Sequence, residues 1–267
     1  MNKIYRPDYY DEFKCIAGDC NHSCCIGWDI DIDPVSMKRF SEHGDILKNI
    51  KDRSMMKDKD GRCLFLNGDG LCDMILRYGE DMLCDICREH PRFYNRYDDH
   101  TDMGVGLCCE EMCNIVLHKT DKFKLIPERE MSEEIKTIQN RELSFDQRLQ
   151  MLGPSRTGAK MRALIFKQLE RLDEDWTSVL DDIIAAPPDE GEISSYLTAH
   201  GIPLEQLACY FLYRYPDKTW FATEGIRLIA SACLCSKSKT LCDIARLFSS
   251  EVEYSDSNIG ELESIYA

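Results

Sequence analysis

Apolar and polar positions divide this chain into two textures. Beyond about residue 125, apolar side chains recur at helical spacing among Ala, Leu, Glu, Lys and Arg, most clearly over 162–172, 204–213 and 226–234. A period of three to four residues puts one apolar stripe on each helix, so this half reads as all-helical. The Gly153-Pro154 turn and Pro187-Pro188 punctuate it.

The N-terminal half carries shorter signals. Trp28-Asp-Ile-Asp-Ile-Asp33 alternates apolar and polar residues, which predicts a short strand, and Asp33-Pro34 offers an N-cap and first-turn proline for a helix to about Asn49. Around Asn67-Gly-Asp-Gly70 the chain 62–72 predicts a hairpin that brings Cys63 and Cys72 to one side. Two short helices are expected over 71–78 and 80–89, broken at Gly79 and ended by Pro91, and a third over 104–118. The expected fold class is therefore mainly α: a cysteine-rich metal-binding N-terminal half of short hairpins and helices (1–122), then a helical region (123–267). There is neither an internal repeat nor a low-complexity tract.

Composition narrows the function classes. With 43% hydrophobic residues, the 267-residue chain can bury one substantial core or two modest ones. Forty-eight acidic against thirty-three basic residues give a net charge of −15, which repels phosphate backbones and anionic lipid. Nucleic acid and membrane are thus not expected partners. No stretch approaches the roughly 18 to 20 apolar residues of a membrane span, and Met1-Asn-Lys-Ile-Tyr-Arg-Pro-Asp8 lacks an apolar leader core, so a cytoplasmic protein is expected.

Eleven of fifteen cysteines lie between Cys15 and Cys113, as Cys15-x4-Cys20-x3-Cys24-Cys25, Cys63-x8-Cys72, Cys84-x2-Cys87 and Cys108-Cys109-x3-Cys113. Thiolates select zinc, copper(I) or iron–sulfur clusters. A structural zinc site could use Cys63/Cys72 with Cys84/Cys87, whereas a four-iron–four-sulfur cluster takes four thiolates at looser spacing; spacing leaves both open. The surplus of sulfurs favours iron, because adjacent Cys24-Cys25 and Cys108-Cys109 do not readily share one small ion. Cys209, Cys233, Cys235 and Cys242 lie in apolar helical runs and read as small buried hydrophobes. His22, His90 and His118 read as locally bonded histidines rather than ligands. No Rossmann fingerprint, nucleophile elbow or metalloprotease helix is present.

Several stretches together resemble the flagellin lysine-N-methylases of the FliB type, within the wider cysteine-cluster (YkgJ-like) proteins. They are Arg6-Pro-Asp-Tyr-Tyr-Asp-Glu-Phe-Lys-Cys-Ile-Ala-Gly-Asp-Cys-Asn-His-Ser-Cys-Cys-Ile-Gly-Trp-Asp-Ile-Asp-Ile-Asp33, Gly61-Arg-Cys-Leu-Phe-Leu66, Gly70-Leu-Cys72, Leu83-Cys-Asp-Ile-Cys-Arg-Glu-His-Pro-Arg92 and Gly106-Leu-Cys-Cys-Glu-Glu111. Toward the C-terminus, Tyr210-Phe-Leu-Tyr-Arg-Tyr215 and Ile244-Ala-Arg-Leu-Phe-Ser-Ser-Glu-Val-Glu-Tyr-Ser255 match as well, while 125–195 matches only as generic helix. The resemblance implies methyl transfer from S-adenosylmethionine to lysines of flagellin, with an iron–sulfur cluster taking part and zinc as the alternative metal.

A lysine ε-amine titrating near about 10.4 must lose a proton before it can attack a methyl group. The implied catalytic candidates are Tyr9, Tyr10 and Glu110, with Glu111, Glu251 and Glu253 as further carboxylates, and Trp28 and Arg92 are the implied donor-binding residues. The implied ligands are first Cys15, Cys20, Cys24, Cys25, Cys84 and Cys87, then Cys63, Cys72 and Cys108. The alternatives to an enzyme are a metal-binding or electron-transfer module and a zinc-stapled interaction protein.

Overall fold

The computed structural model describes residues 3–267. In chain order its first elements are β1 (Lys3–Pro7), α1 (Pro34–Phe40), α2 (Gly44–Leu47), β2 (Ile50–Lys51), β3 (Ser54–Met55), α3 (Asp73–Tyr78) and α4 (Asp85–Glu89). Then come β4 (Arg92–Arg96), β5 (His100–Val105), α5 (Glu110–His118) and β6 (Leu125–Ile126). The remainder is helical: α6 (Glu133–Ile138), α7 (Phe145–Leu152), α8 (Ala159–Lys167), α9 (Glu174–Ala185), α10 (Glu190–Ala199), α11 (Gly201–Arg214), α12 (Thr219–Cys235), α13 (Leu241–Val252) and α14 (Asp256–Tyr266).

These elements gather into two compact units, one of residues up to Phe13 with 94–108 and 112–267, the other of 14–93 with 109–111. The units are interleaved in sequence, and the boundary expected at 122/123 falls inside the first. No helix among the described residues is long and apolar enough to cross a membrane.

The first unit holds a four-stranded sheet of order β4-β5-β1-β6. β1 runs parallel to β5, with Lys3 opposite His100 and Tyr5 opposite Asp102, and antiparallel to β6, with Arg6 opposite Ile126. The Tyr213 hydroxyl of α11 reaches the carbonyls of Tyr5 and Met103 at 3.0 and 3.3 Å, fixing α11 against neighbouring strands. This sheet departs from the expected hairpins and helices, because a parallel pair between residues a hundred positions apart leaves no local signal.

The helices follow the apolar periodicity. α12 is buried from Trp220 through Ala232 and packs against α7, α8, α9, α10, α11 and α13. A Cβ at Gly225 would stand 3.1 Å from Cζ of Phe248, so glycine there admits the aromatic cluster of Phe166, Phe211, Phe221, Phe248 and Trp176. Ser144, Asp189 and Thr240 each close a capping box with the residue three positions on, which sets the starts of α7, α10 and α13. Buried charge is paired: Arg162 to Glu224 at 2.7 Å, and Arg141 and Arg148 to Glu205 at 2.8 and 2.6 Å.

In the second unit, Ile30 and Ile32 face the core as the alternation predicts, yet 28–33 forms no strand. A single bridge joins Asp31 to Ser54, flanked by Ile32 N to Arg53 O and Met55 N to Ile30 O. Asp33 caps α1 and Pro34 opens it, but the helix stops at Phe40 instead of continuing to Asn49. His43 is extended, and the chain restarts as α2 so that both Phe40 and Ile46 are fully buried. Gly79, at φ 85°, ends α3 as expected, but the helix expected over 80–89 is replaced by a single 3-10 turn, Glu80–Met82, and the short α4, because Leu83 and Cys84 between them are extended. The helix expected from Gly104 begins only at Glu110, because Gly104 and Val105 complete β5.

Candidate metal centre

Of the hairpin expected over 62–72 only the tight turn forms, with an isolated Leu66–Cys72 bridge and no strands, while Cys63 bridges Lys57; the turn is built around one side chain. Asn67 Oδ1 accepts from Asp69 N and Leu71 N, both at 3.0 Å, and Gly70 takes φ 72°. Leu66 bridges Cys72, and Cys63 N donates to Cys25 O at 2.8 Å, which draws three cysteines together. Cys84 is the N-cap of α4 and Cys87 lies in its first turn. All five sulfur residues pack with Ile30, Ile32, Phe40, Ile46, Met55, Phe65 and Met74 in one hydrophobic core. Cys63 and Cys84 are buried within it, and Cys25, Cys72 and Cys87 are partly so.

Their thiols respond to one another. Cys87 donates to Cys84, which lowers Cys84 to about 7 and raises Cys87. Cys24 donates to Cys25 in the same sense, lowering Cys25 to about 7 and raising Cys24. Burial raises Cys63, and the neighbouring Cys25, Cys72 and Cys84 add to it; burial likewise raises Cys72, with Cys25 contributing. Several thiols thus share one apolar volume, where burial and the neighbouring thiols disfavour the charged form of Cys63 and Cys72.

Nearer the surface, Glu110 organises the 20–22 loop. Its carboxylate accepts from Asn21 N (2.9 Å), Asn21 Nδ2 (3.0 Å) and His22 N (3.1 Å), and pairs with His22 Nδ1 (2.9 Å) and Cys20 Sγ (3.7 Å). Burial opposes ionisation there, but the hydrogen bonds from His22 and Asn21 win, and Glu110 titrates below the usual carboxylate range. Burial, together with Glu110 and Cys109, pushes Cys20 up to about 11. Cys24 is raised in turn by Cys15 and Cys109. Cys15 Sγ accepts from Ala17 N at 3.4 Å at the start of the loop.

The other candidates fall in different places. Tyr9 is enclosed in the first unit beside Phe123, and burial raises its phenol well above 10, the setting of a packing residue. Tyr10 is half-buried, with the Arg6 guanidinium over its ring. Trp28 meets the His90 ring edge-on, and Arg92 donates to the Arg88 carbonyl. Glu251 accepts from Leu172 N and Asp173 N, holding the entry to α9. Glu253 is buried, accepting from Tyr210 at 2.8 Å, Tyr215 at 3.3 Å and Arg214 at 3.0 Å. Leu107 N reaches the same Tyr210 hydroxyl at 3.4 Å, next to Cys108 in the first unit. Glu111 is half-buried in the first turn of α5, and His118, exposed, bonds the Asn114 carbonyl.

Cys109 and Cys113 are the clustered thiols that sequence reasoning left out of the ligand set; Cys113 is buried in the first unit, whereas Cys109 lies in the second, where it acts on Cys20 and Cys24. Among the late cysteines, Cys209 is fully buried as expected, whereas Cys233, Cys235 and Cys242 are partly exposed.

Thiols are soft donors of the kind a thiophilic ion takes, but among the described residues no group of three or more His, Cys, Asp or Glu side chains is placed to hold a metal ion.

The fold and site define a cysteine-rich unit of short elements and a helical unit carrying a small mixed sheet. Over 137 residues, the chain is 24% identical to the flagellar biosynthetic protein FliU of Salmonella muenchen, covering 46% of this chain and 81% of that protein. The same identity over the same length relates it to the lysine-N-methylases of Salmonella typhimurium and Salmonella choleraesuis. The chain is thus distantly similar to the FliU and lysine-N-methylase proteins of Salmonella, and the match spans about a third of the length of the two lysine-N-methylases (34%). No family model matches the chain, and no solved structure matches it.

Proposed function

We propose that this protein transfers methyl groups from S-adenosylmethionine to lysine side chains of flagellin, with metal held by the thiols of the second unit. The observation that carries this reading is the similarity to the Salmonella lysine-N-methylases, joined to a unit whose core is built around cysteines. Cys25, Cys63, Cys72, Cys84 and Cys87, with Cys15, Cys20, Cys24 and Cys109, would supply the ligands of an iron–sulfur cluster or of zinc. Bound there, such a centre supplies positive charge and, for iron, open coordination for polar groups of a donor.

The chain's own residues must manage the amine. The lysine nitrogen carries its lone pair to the methyl carbon, the sulfonium C–S bond breaks toward sulfur, and the amine proton leaves to a base or to water. Glu110 is a weak base for that proton, because its hydrogen bonds keep it ionised and lower its affinity for protons. Its role in this reading is to hold Asn21 and His22 in place. Tyr10, half-buried beneath the Arg6 guanidinium, and Trp28, edge-on to His90, are the better-exposed aromatic groups for desolvating a lysine.

A second reading, a metal-binding or electron-transfer module without methyl transfer, is favoured by the coverage of only a third of the lysine-N-methylases. The deciding experiment incubates anaerobically purified protein with flagellin and S-adenosylmethionine and reads flagellin by intact mass. Methyl increments on lysine support the first reading. Their absence, with metal bound and no donor binding by calorimetry, leaves the second.

A further inference from the structure

The sheet of the first unit carries a carboxylate and an aromatic face that together grip a cation, and the chain's own Arg129 fills the place. Asp102, on β5 between β4 and β1, is 4% exposed, and its two oxygens accept from Nη1 and Nη2 of Arg129 at 2.8 and 3.0 Å. The same guanidinium lies 4.5 Å from the ring centre of Tyr5, which stands opposite Asp102 on β1. His100 meets Tyr5 edge-on at 5.7 Å and stacks on Tyr97 at 4.5 Å, and its Nε2 is 3.7 Å from the Asp102 carboxylate. A buried carboxylate beside an aromatic face attracts organic cations through both the charge and the ring quadrupole.

The two halves of this ion pair are mounted differently. Asp102 sits inside the sheet, fixed by its register with Tyr5. Arg129 rides on the 127–132 segment, which belongs to no strand or helix and is exposed at 127, 128, 130 and 132. Its side chain is 28% exposed. Arg148 and Arg162, borne on helices and 4% and 0% exposed, are held further by the Ile138 carbonyl and by Ser155 and Thr157. The recognising half is therefore rigid, and the occupying half is on a surface arm.

We infer that Asp102 and Tyr5 form a docking subsite for a lysine side chain of the substrate, closed by Arg129 until the substrate displaces it. This deepens the reading above and rests on it for the lysine-bearing substrate. An ammonium is compact and carries three donors, enough to reach both Asp102 oxygens while staying over the Tyr5 ring. The carboxylate favours the charged form of such a lysine, which then has no lone pair for a methyl group. The subsite thus positions the substrate through a lysine other than the one being modified. Arg129, tethered beside it, lowers the apparent affinity in proportion to the fraction of chains in which the subsite is open.

The test melts the full chain and its Arg129→Ala variant in n-butylammonium chloride and in sodium chloride at equal ionic strength. Arg129→Ala is expected to show a higher midpoint in butylammonium than in sodium, by more than wild type does, and Asp102→Asn/Arg129→Ala is expected to show no such rise. Saturation-transfer NMR with Nα-acetyl-lysine-N-methylamide should report stronger contact with Arg129→Ala than with wild type, and none from the norleucine analogue. If Arg129→Ala does not fold, Arg129→Gln, which keeps a hydrogen-bond donor and drops the charge, takes its place in both measurements.

An equal butylammonium effect in the single and double variants, or equal contact from the lysine and norleucine probes, would overturn the proposal. Asp102-dependent binding of the probe without methyl transfer to flagellin would sink the methylase reading and leave the cation subsite standing. Methyl transfer without that binding would sink the subsite alone.

Discussion

Gly18 and Gly70 lie backbone against backbone: a Cβ on Gly18 would stand 2.6 Å from the Asp69 carbonyl oxygen, and one on Gly70 would stand 3.1 Å from Cα of Gly18. This contact seats the loop between Cys15 and Cys20 on the Asn67–Gly70 turn. Neither side can yield without moving main chain.

Gly18→Ala must therefore shift one of the two loops, at a cost of about 1–3 kcal/mol typical of overpacking. Gly70→Ala adds the strain of a side chain at φ 72°, roughly 1–2 kcal/mol. Both variants should lower the thermal midpoint, and Gly18→Ala should also reduce retained metal. A midpoint and metal content equal to wild type would show that the loops are not held by this contact.

Asp33 links α1 to α4, its Oδ1 accepting from Ser36 N at 2.8 Å and its Oδ2 from Asp85 N at 3.1 Å. Although burial opposes it, these bonds hold the carboxyl at about 2 against an ordinary 3.8. Because the folded value is depressed, the stabilisation is present above about pH 4 and is lost as pH falls toward 2. Asp33→Ala should cost about 1–2 kcal/mol at neutral pH, the range for a lost helix cap. In denaturant melts, the difference between wild type and this variant should shrink between pH 4 and pH 2; a constant difference would refute the assignment.

Arg162 and Glu224 are fully buried partners that also bond Ser155, Arg156 and Thr157, leaving Arg162 Nη1 without a hydrogen bond. Removing one member strands the other in the core, so Glu224→Ala is expected to cost about 3–5 kcal/mol. Pairing it with Arg162→Met should restore part of that loss. A double variant as destabilised as the sum of the singles would mean that the pair is not coupled.

Tyr210 donates to Glu253 at 2.8 Å and accepts from Arg214 at 2.7 Å. Tyr210→Phe leaves both with one partner fewer, a loss of about 1–3 kcal/mol. The Leu107 amide, which also reaches this hydroxyl, should exchange its hydrogen faster, and unchanged protection there would argue that the 3.4 Å contact is idle.

The local devices of the fold were legible in the chain. Asp33-Pro34 announced a capped helix, Asn67 to Gly70 a tight turn, Gly79 a break, and the runs at 204–213 and 226–234 two buried helices, while the helix read over 162–172 ends already at Lys167. Each depends on side chains within a few residues of the backbone they act on. The resemblance of several cysteine-bearing segments to the lysine-N-methylases was legible too, and the similarity to the Salmonella proteins agrees with it.

What lay between distant segments was not legible. β1 pairs with β5 across about a hundred residues, and the pairing rests on hydrogen bonds common to every residue type, so neither strand advertises its partner. Glu110, a candidate base by residue type, became the anchor of a loop because folding set Asn21 and His22 against it. Sequence alone determined how many soft ligands the chain carries and where they crowd. Tertiary structure decided which of them share a core, since burial and neighbouring charge belong to the space around a thiol and not to its position in the chain.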